Sequence, residues 1–226
     1  MALSYFPASL LKVARSLHYR SSLTHYDMTM EPDLLGCQKL IVPGETVLDV
    51  GANIGVYTRF CSDFVGPSGQ VISLEPLPET FSYLVQNVHS LGLKNVRCLN
   101  LAASDHDGDS DAMTVPKYPT GGTNLYEAAL SSTGNIRVKT AKLDTLFSDL
   151  SPHFIKCDVE GHEVECIRGA MELIRRCRPK WMIEVSKKET FELFYPLGYK
   201  AFFYEEGQFH SYDGACARTN YFFLPD

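Results

Sequence analysis

Three acids, a lysine and a histidine fall within eight residues of this 226-residue chain, in the run Lys156-Cys157-Asp158-Val159-Glu160-Gly161-His162-Glu163. Asp158 and Glu160 stand two apart, so they share a face if the strand that leads into them persists that far, and Lys156 precedes Asp158 by the same period. Carboxylates and an imidazole so placed can take the proton of a hydroxyl as a new bond to its oxygen forms, a contribution of about 10²–10⁴-fold. The candidates are Asp158, Glu160 and His162, with Glu184 at the end of a later apolar run as a further lining acid. Lys156 either pairs with Asp158 or orients a substrate. As an alternative, Asp158, Glu160 and Glu184 would hold a hard divalent cation such as Mg²⁺, which polarises a hydroxyl without a proton acceptor. Glu163 also has a purely structural use, because an acid in the first turn of a helix stabilises it by about 0.3–1 kcal/mol.

A second constellation lies upstream, in Asp49-Val50-Gly51-Ala52-Asn53-Ile54-Gly55. A strand that ends in Asp49 and turns through Gly51 and Gly55 into a helix sets backbone N–H groups and a helix N-terminus beside a ligand at the strand's carboxyl end. The dinucleotide fingerprint G-x-G-x-x-G is broken, since Asn53 and Val56 occupy its second and third glycine positions, which disfavours a nicotinamide cofactor. Glu75 ends the next predicted strand, where a carboxylate can accept both hydroxyls of a ribose. An adenosine held there would have its amino-acid end lying over Gly51.

Taken in order, Val47-Leu48-Asp49-Val50-Gly51-Ala52-Asn53-Ile54-Gly55-Val56-Tyr57-Thr58, Leu74-Glu75-Pro76, Ala102-Ala103-Ser104-Asp105 and Phe154-Ile155-Lys156-Cys157-Asp158-Val159-Glu160-Gly161-His162-Glu163 resemble the successive motifs of FkbM-family methyltransferases. The resemblance covers about residues 30 to 224. It implies an α/β fold of the class I, Rossmann-like kind: an open, mostly parallel sheet of seven strands, the last antiparallel, with helices on both faces. It further implies S-adenosylmethionine as cofactor. On that pattern Asp49, Gly51, Asn53 and Thr58 border the methionine half, with Ala52, Gly55 and Tyr57 in the same motif. Glu75 holds the ribose, followed by Pro76, Ala102 borders the adenine, and Glu31 stands against the cofactor's ammonium or on the surface. Gly121-Gly122-Thr123-Asn124 and Asn220 also resemble family positions. The resemblance points to O-methylation of a sugar or secondary-metabolite hydroxyl. The alternatives are a non-catalytic S-adenosylmethionine-binding module and an N- or protein methyltransferase on the same fold.

Short apolar runs alternate with amphipathic segments of about a dozen residues, the pattern of β-α units on a parallel sheet. The strands fall at Thr46–Val50, Gln70–Leu74, Val96–Leu101, Ile136–Thr140, His153–Asp158 and Trp181–Val185, and Tyr199–Tyr204 with Tyr221–Leu224 reads as a terminal hairpin. Helices are expected at about 55–64, 78–91, 142–150, 162–176 and 188–195. Residues 105–134, rich in Asp, Gly, Ser, Thr and Pro, read as a long functional loop or a small hairpin insert. The aromatics Tyr195, Phe202, Phe203, Phe222 and Phe223 are expected in the core.

The formal charge of −6 leaves no broad basic field for a polyanion, so no nucleic-acid partner is expected, and a small-molecule hydroxyl acceptor fits better. Seven cysteines without a C-x-x-C pair suggest reduced thiols in a cytoplasmic protein. No apolar run approaches the ~20 residues of a membrane span. Residues 1–26 carry Lys12, Arg15 and Arg20 and no acid, a bias shared with organelle transit peptides; the plainer expectation is an N-terminal helical segment over 1–30 that packs on a single domain at 31–226 through Phe6, Leu10, Val13 and Leu17. The oligomeric state is open, a homodimer among the options.

Overall fold

All five residues from Thr46 to Val50 are buried, which places this strand inside a sheet covered on both faces. The computed structural model describes residues 8–116, 124–125, 128–131, 133–215 and 217–226. The chain opens with helices α1 (Ala8–Thr24) and α2 (Pro32–Leu40), then alternates β1 (Thr46–Val50), α3 (Val56–Val65), β2 (Gln70–Leu74), α4 (Pro78–Ser90) and β3 (Val96–Leu99). Next come β4 (Ala102–Ala103), β5 (Gly108–Thr114), β6 (Ala129–Leu130), β7 (Ile136–Ala141) and the single helical turn α5 (Leu143–Leu146). The alternation resumes with β8 (Phe154–Cys157), α6 (Glu163–Arg168), α7 (Met171–Cys177), β9 (Lys180–Glu184) and α8 (Glu189–Phe194), and β10 (Tyr199–Glu205), β11 (Gln208–Ser211) and β12 (Asn220–Pro225) follow.

The main sheet has the order β3-β2-β1-β8-β9-β12-β10-β11. β3, β2, β1, β8 and β9 are parallel, and β12 is antiparallel to both of its neighbours. Seven of these strands are the ones the resemblance implied; β11 adds an eighth at the edge. The chain runs outward from β1 to β3 and returns to β8 on the other side of β1, and such a reversal opens a crevice at the carboxyl ends of the central strands. Side chains along β1 alternate between faces: Val47 packs with Leu34, Cys37, Phe60 and Cys61 of α2 and α3, whereas Leu48 and Val50 pack with Ile167, Leu173, Ile174 and Phe194 of the helices on the opposite face.

Several elements depart from expectation for identifiable reasons. The helix expected over 162–176 is two helices that meet at Gly169 and Ala170. A Cβ on Gly169 would lie 1.9 Å from the Ser104 carbonyl oxygen, so the chain at this break touches the turn after β4. The expected terminal hairpin is split. β10 pairs with β12, but the chain between them first folds back as β11 on the outer side of β10. Residues 105–134, by contrast, take the second of their two expected forms, a hairpin insert: β5 and β6 pair antiparallel and join β4 and β7 in a second sheet of order β4-β7-β5-β6. Tyr195, expected in the core, is 47% exposed, whereas Phe222 and Phe223 are fully buried.

The expected packing of α1 is overturned. Leu10, Val13 and Leu17 face outward, and the helix docks through its other side: Leu23 is fully buried and the Tyr19 ring meets Tyr83 of α4 edge-on. Phe6 lies outside the described residues. No helix among them is long and apolar enough to cross a membrane.

Candidate functional site

The site is built around the turn between β1 and α3. Gly51 has φ +77°, and a Cβ there would fall 1.7 Å from the Asp158 carbonyl oxygen, so only glycine lets this turn lie against the end of β8. The Gly51 and Ala52 N–H groups both donate to the Leu74 carbonyl, at 3.0 and 2.9 Å, which ties the turn to β2. Asn53 takes a left-handed conformation, φ +51°, and its side-chain oxygen accepts from the Ile54 N–H at 2.8 Å. Gly55, φ +100°, precedes α3, and its missing Cβ leaves room for Leu84.

Beneath the turn lies a buried polar network. Asp49 points to the α3 side, where Thr58 Oγ1 donates to its Oδ2 at 2.5 Å and lies 2.8 Å from Ser73 Oγ. Lys156 reaches in from β8, with its Nζ 3.6 Å from Asp49 Oδ1, 3.3 Å from Asp158 Oδ2, and donating to the Gly51 carbonyl at 2.8 Å. Burial alone would lower the pKa of this ammonium; Asp158 and Asp49 outweigh it and raise it. Asp49 and Thr58 are fully buried and do not reach the cavity wall. Gly55 is also off the wall. Asp49 and Thr58 thus brace the turn from beneath, and Gly55 keeps its entry into α3 open.

Glu75, just beyond β2, is buried and accepts from the Asn53 N–H at 3.0 Å and the Leu77 N–H at 2.9 Å. Burial pushes its pKa up to about 7, against the opposing pull of those two amides. Each oxygen keeps a lone pair for a further donor. Glu31, immediately before α2, accepts from Tyr26 at 2.7 Å and from Tyr57 at 3.3 Å, so a residue 26 positions upstream of Tyr57 is drawn to the same cleft. Burial, together with the Glu31 carboxylate, moves the Tyr26 hydroxyl up to about 12.

On the other side of the turn three carboxylates converge. β8 stops at Cys157, so Asp158 and Glu160 do not share a strand face as expected. Instead Glu160 and Gly161 adopt positive φ, +55° and +90°, and the resulting turn folds Glu160 back beside Asp158. With Glu184 at the end of β9, they place one oxygen each within 4.8 Å of one another. Burial and then the hydrogen bond with Asp158 raise the Glu184 carboxyl to about 8. Burial works on Asp158 in the same direction, but Lys156 and the bond to Glu184 hold it below its ordinary value. At neutral pH, then, Asp158 is the carboxylate and Glu184 carries a proton toward it. Glu163 is structural: it is buried, accepts from Gly161 N–H at 2.9 Å and Val159 N–H at 3.3 Å, and takes a hydrogen bond from Ser186 at 2.6 Å.

His162 does not join the three acids. Its Nε2 lies 3.0 Å from Ser104 Oγ, two residues beyond Ala102, and its Nδ1 is 3.6 Å from Glu165. Burial lowers its pKa, so the ring is neutral near pH 7. Ala102 is buried on the cavity wall, with His162 at the same end.

These residues enclose a cavity of about 360 Å³, within the usual range for small-molecule sites. Gly51, Ala52, Asn53, Tyr57, Glu75, Pro76, Ala102, Lys156, Asp158, Glu160, His162 and Glu31 all reach its wall; Glu184, expected as a lining acid, sits beside Asp158 and Glu160 but off that wall. Sequence reasoning missed one wall entirely. His18, Tyr19, Ser22, Leu23 and Tyr26, from α1 and the segment after it, close the cavity, and Met113, Leu125 and Leu130 of the insert add apolar surface. The signal for α1 was Tyr19 and Leu23 at helical spacing, offset from the more conspicuous stripe of Leu10, Val13 and Leu17. Of Gly121-Gly122-Thr123-Asn124, the first three lie outside the described residues and Asn124 is buried. Asn220 donates to Asp33 at 2.8 Å, away from the cavity wall.

Residues 49–210 match the family model of the Methyltransferase FkbM domain. The chain is similar to the hexuronic acid methyltransferase AglP of Haloferax volcanii, 31% identical over 128 residues that make up 55% of this chain and 49% of that protein. It thus spans about half the length of this curated relative. Among solved structures it is similar to methyltransferase FkbM from Methylobacillus flagellatus, with a TM-score of 0.52 at 16% identity over 95% of this chain and 60% of that one. It is also similar to a SAM-dependent methyltransferase from Aquifex aeolicus, with a TM-score of 0.50 at 18% identity over 90% of this chain and 96% of the other. These likenesses show the fold, a class I Rossmann-like methyltransferase sheet.

Proposed function

We propose that this chain, which belongs to the Methyltransferase FkbM domain family, transfers a methyl group from S-adenosylmethionine to a hydroxyl of a small sugar-type acceptor. The observation that carries the reading is a single cavity that runs from Glu75, past the Gly51 turn, to Asp158 and Glu160. Its residues fit the cofactor: Glu75 retains acceptor capacity for ribose hydroxyls, the turn without a Cβ admits close approach, and Glu31 offers a carboxylate to an ammonium. When bound, the cofactor supplies an electrophilic methyl on a sulfonium. A hexuronic acid methyltransferase among the relatives supports the sugar class.

The chain's own contribution is chiefly alignment, which in favourable cases is worth up to about 7–11 kcal/mol. Asp158, ionised and fixed by Lys156, accepts a hydrogen bond from the acceptor hydroxyl and turns an oxygen lone pair toward the methyl. A carboxylate held below its ordinary pKa is a weak base, but the oxygen becomes strongly acidic once its bond to carbon forms, and Asp158 then suffices to take the proton. Glu184, already protonated, steadies Asp158 and does not compete for that proton. His162, bonded to Ser104 at the Ala102 end, is assigned to cofactor positioning.

Isothermal titration with S-adenosylmethionine, followed by detection of S-adenosylhomocysteine over a panel of sugars, tests the proposal. Glu75→Ala is expected to abolish cofactor binding; a variant that binds normally removes the ribose assignment. Cofactor binding without turnover on any hydroxyl acceptor favours a binding module or an N- or protein methyltransferase. A second reading comes from the convergence of Asp158, Glu160 and Glu184, which would also suit a divalent cation. Turnover that survives exhaustive chelation discards it. The six described cysteines are free thiols, in keeping with a cytoplasmic enzyme.

A further inference from the structure

α1 has two unlike faces. The inner one is engaged: Arg15 pairs with Glu79 at 3.2 Å, Ser16 donates to Gln86 at 2.7 Å, Tyr19 meets Tyr83, and Arg59 donates to the Leu23 carbonyl. The outer one carries Leu10, Val13 and Leu17, 54%, 57% and 61% exposed, at spacings of three and four that align them in one stripe. The helix is thus held to the body by one side while a row of aliphatic side chains points to solvent. A helix whose apolar face served only to dock it would be turned the other way.

The charge distribution says what this face suits. Residues 1–26 hold Lys12, Arg15 and Arg20 and no acid, while the other 200 residues carry 18 Lys and Arg against 27 Asp and Glu. Arg20 is exposed, three residues along the helix from Leu17. An apolar stripe that ends beside an exposed arginine, on a segment free of acids in an otherwise acidic protein, is complementary to a surface that is apolar beneath and anionic above. A second copy of the chain is a poorer occupant. It would bring two cationic helices together, and three aliphatic side chains fall far short of the roughly 800 Å² per partner of a stable interface. We propose that α1 is an interfacial helix that lays Leu10, Val13 and Leu17 into an anionic lipid surface, with the exposed Arg20 meeting the headgroup phosphates. His18, Tyr19 and Ser22 of the same helix wall the cavity, so the docked helix would carry one of its walls.

The test uses the full chain and phospholipid vesicles and reads binding alone, so it stands whether or not the methyltransferase reading does. Co-sedimentation with phosphatidylcholine vesicles enriched in phosphatidylglycerol is expected, with little pelleting on phosphatidylcholine alone and loss of binding at high salt. Val13→Glu with Leu17→Glu should weaken binding about tenfold or more, because two apolar side chains no longer enter the lipid. Since both point outward, the thermal midpoint should stay near that of the wild type. Arg20→Glu, at an exposed site, should weaken binding at low salt and leave the fold intact. Absence of vesicle binding, or binding undiminished in these variants, overturns the proposal. So does a concentration-dependent dimer dissolved by Leu17→Glu without vesicle binding, which would make the stripe a self-association surface.

Discussion

Replacing Lys156 by methionine removes the ammonium that joins the β1 turn to the carboxylate cluster while keeping a side chain of similar length. Lys156 and Asp49 are buried to 3% and 0% exposure, 3.6 Å apart, and Asp49 Oδ1 has no hydrogen-bond partner among the described residues. The variant therefore leaves a buried carboxylate with only Thr58 on its other oxygen. Removing one partner of such a pair costs about 3–5 kcal/mol, which for a domain of this size is a fall in Tm of roughly 6–20 °C. Urea denaturation and thermal unfolding at neutral pH read both quantities.

The pH dependence adds a second check. Lys156 helps hold the Asp158 carboxyl below its ordinary value, so its contribution through Asp158 is present above the unfolded carboxylate pKa near 4 and is lost as pH falls through the lowered folded value. The deficit of Lys156→Met is accordingly widest near neutrality and narrows in acid. Asp49→Asn added to Lys156→Met withdraws the unpaired charge and should recover much of the loss. A Lys156→Met protein within about 1 kcal/mol of wild type at neutral pH would refute the reasoning, because a buried uncompensated carboxylate cannot be that cheap.

Glu184, raised to about 8, favours the fold while it is protonated, so its contribution is full below an ordinary carboxylate pKa near 4.5 and is lost as pH rises to about 8; Glu184→Gln should flatten that decline in a series of Tm against pH. Thr58→Val removes the hydroxyl that donates to Asp49 and should cost about 1–3 kcal/mol in urea melts while cofactor still binds by calorimetry. If binding disappears in a folded Thr58→Val protein, the residue belongs to the cavity wall after all. Asp158→Asn should lower kcat without weakening the cofactor, whereas His162→Ala should weaken the cofactor more than it lowers kcat. A larger kcat loss in His162→Ala would return the base role to the imidazole.

Much of the fold was legible because strand and helix periods are local: Thr46–Val50 and Gln70–Leu74 were read to the residue, and Pro78 marked the start of its helix. The spacing of Asp49, Gly51, Glu75 and Asp158 also sufficed to predict a cleft at the sheet's carboxyl edge. Adjacency in the chain did not decide which of these residues face it. Asp49 and Thr58 look like ligand contacts in a motif, yet the alternation of β1 turns Asp49 under α3, so they brace the turn from below. Asp158 and Glu160 do come together, but through a left-handed turn that no strand periodicity would give. His162, four residues after Asp158, was carried to Ser104 because α6 begins beside the end of β4.

The amino-acid order by itself determined the alternating strands and helices, the glycine that must lie against β8 and the family to which the chain is similar, since these depend on propensities and spacings within a few residues. The tertiary structure alone decided the proton distribution over Asp158 and Glu184, the closing of the cavity by α1 and the outward turn of Leu10, Val13 and Leu17. Each of these depends on groups far apart in the chain: a carboxyl is raised to about 8 by burial and then by an acid 26 residues before it, and a helix is rotated by partners on α4 some 64 residues away. Local patterns cannot encode such pairings, because burial and charge at a point are set by whatever the fold brings there.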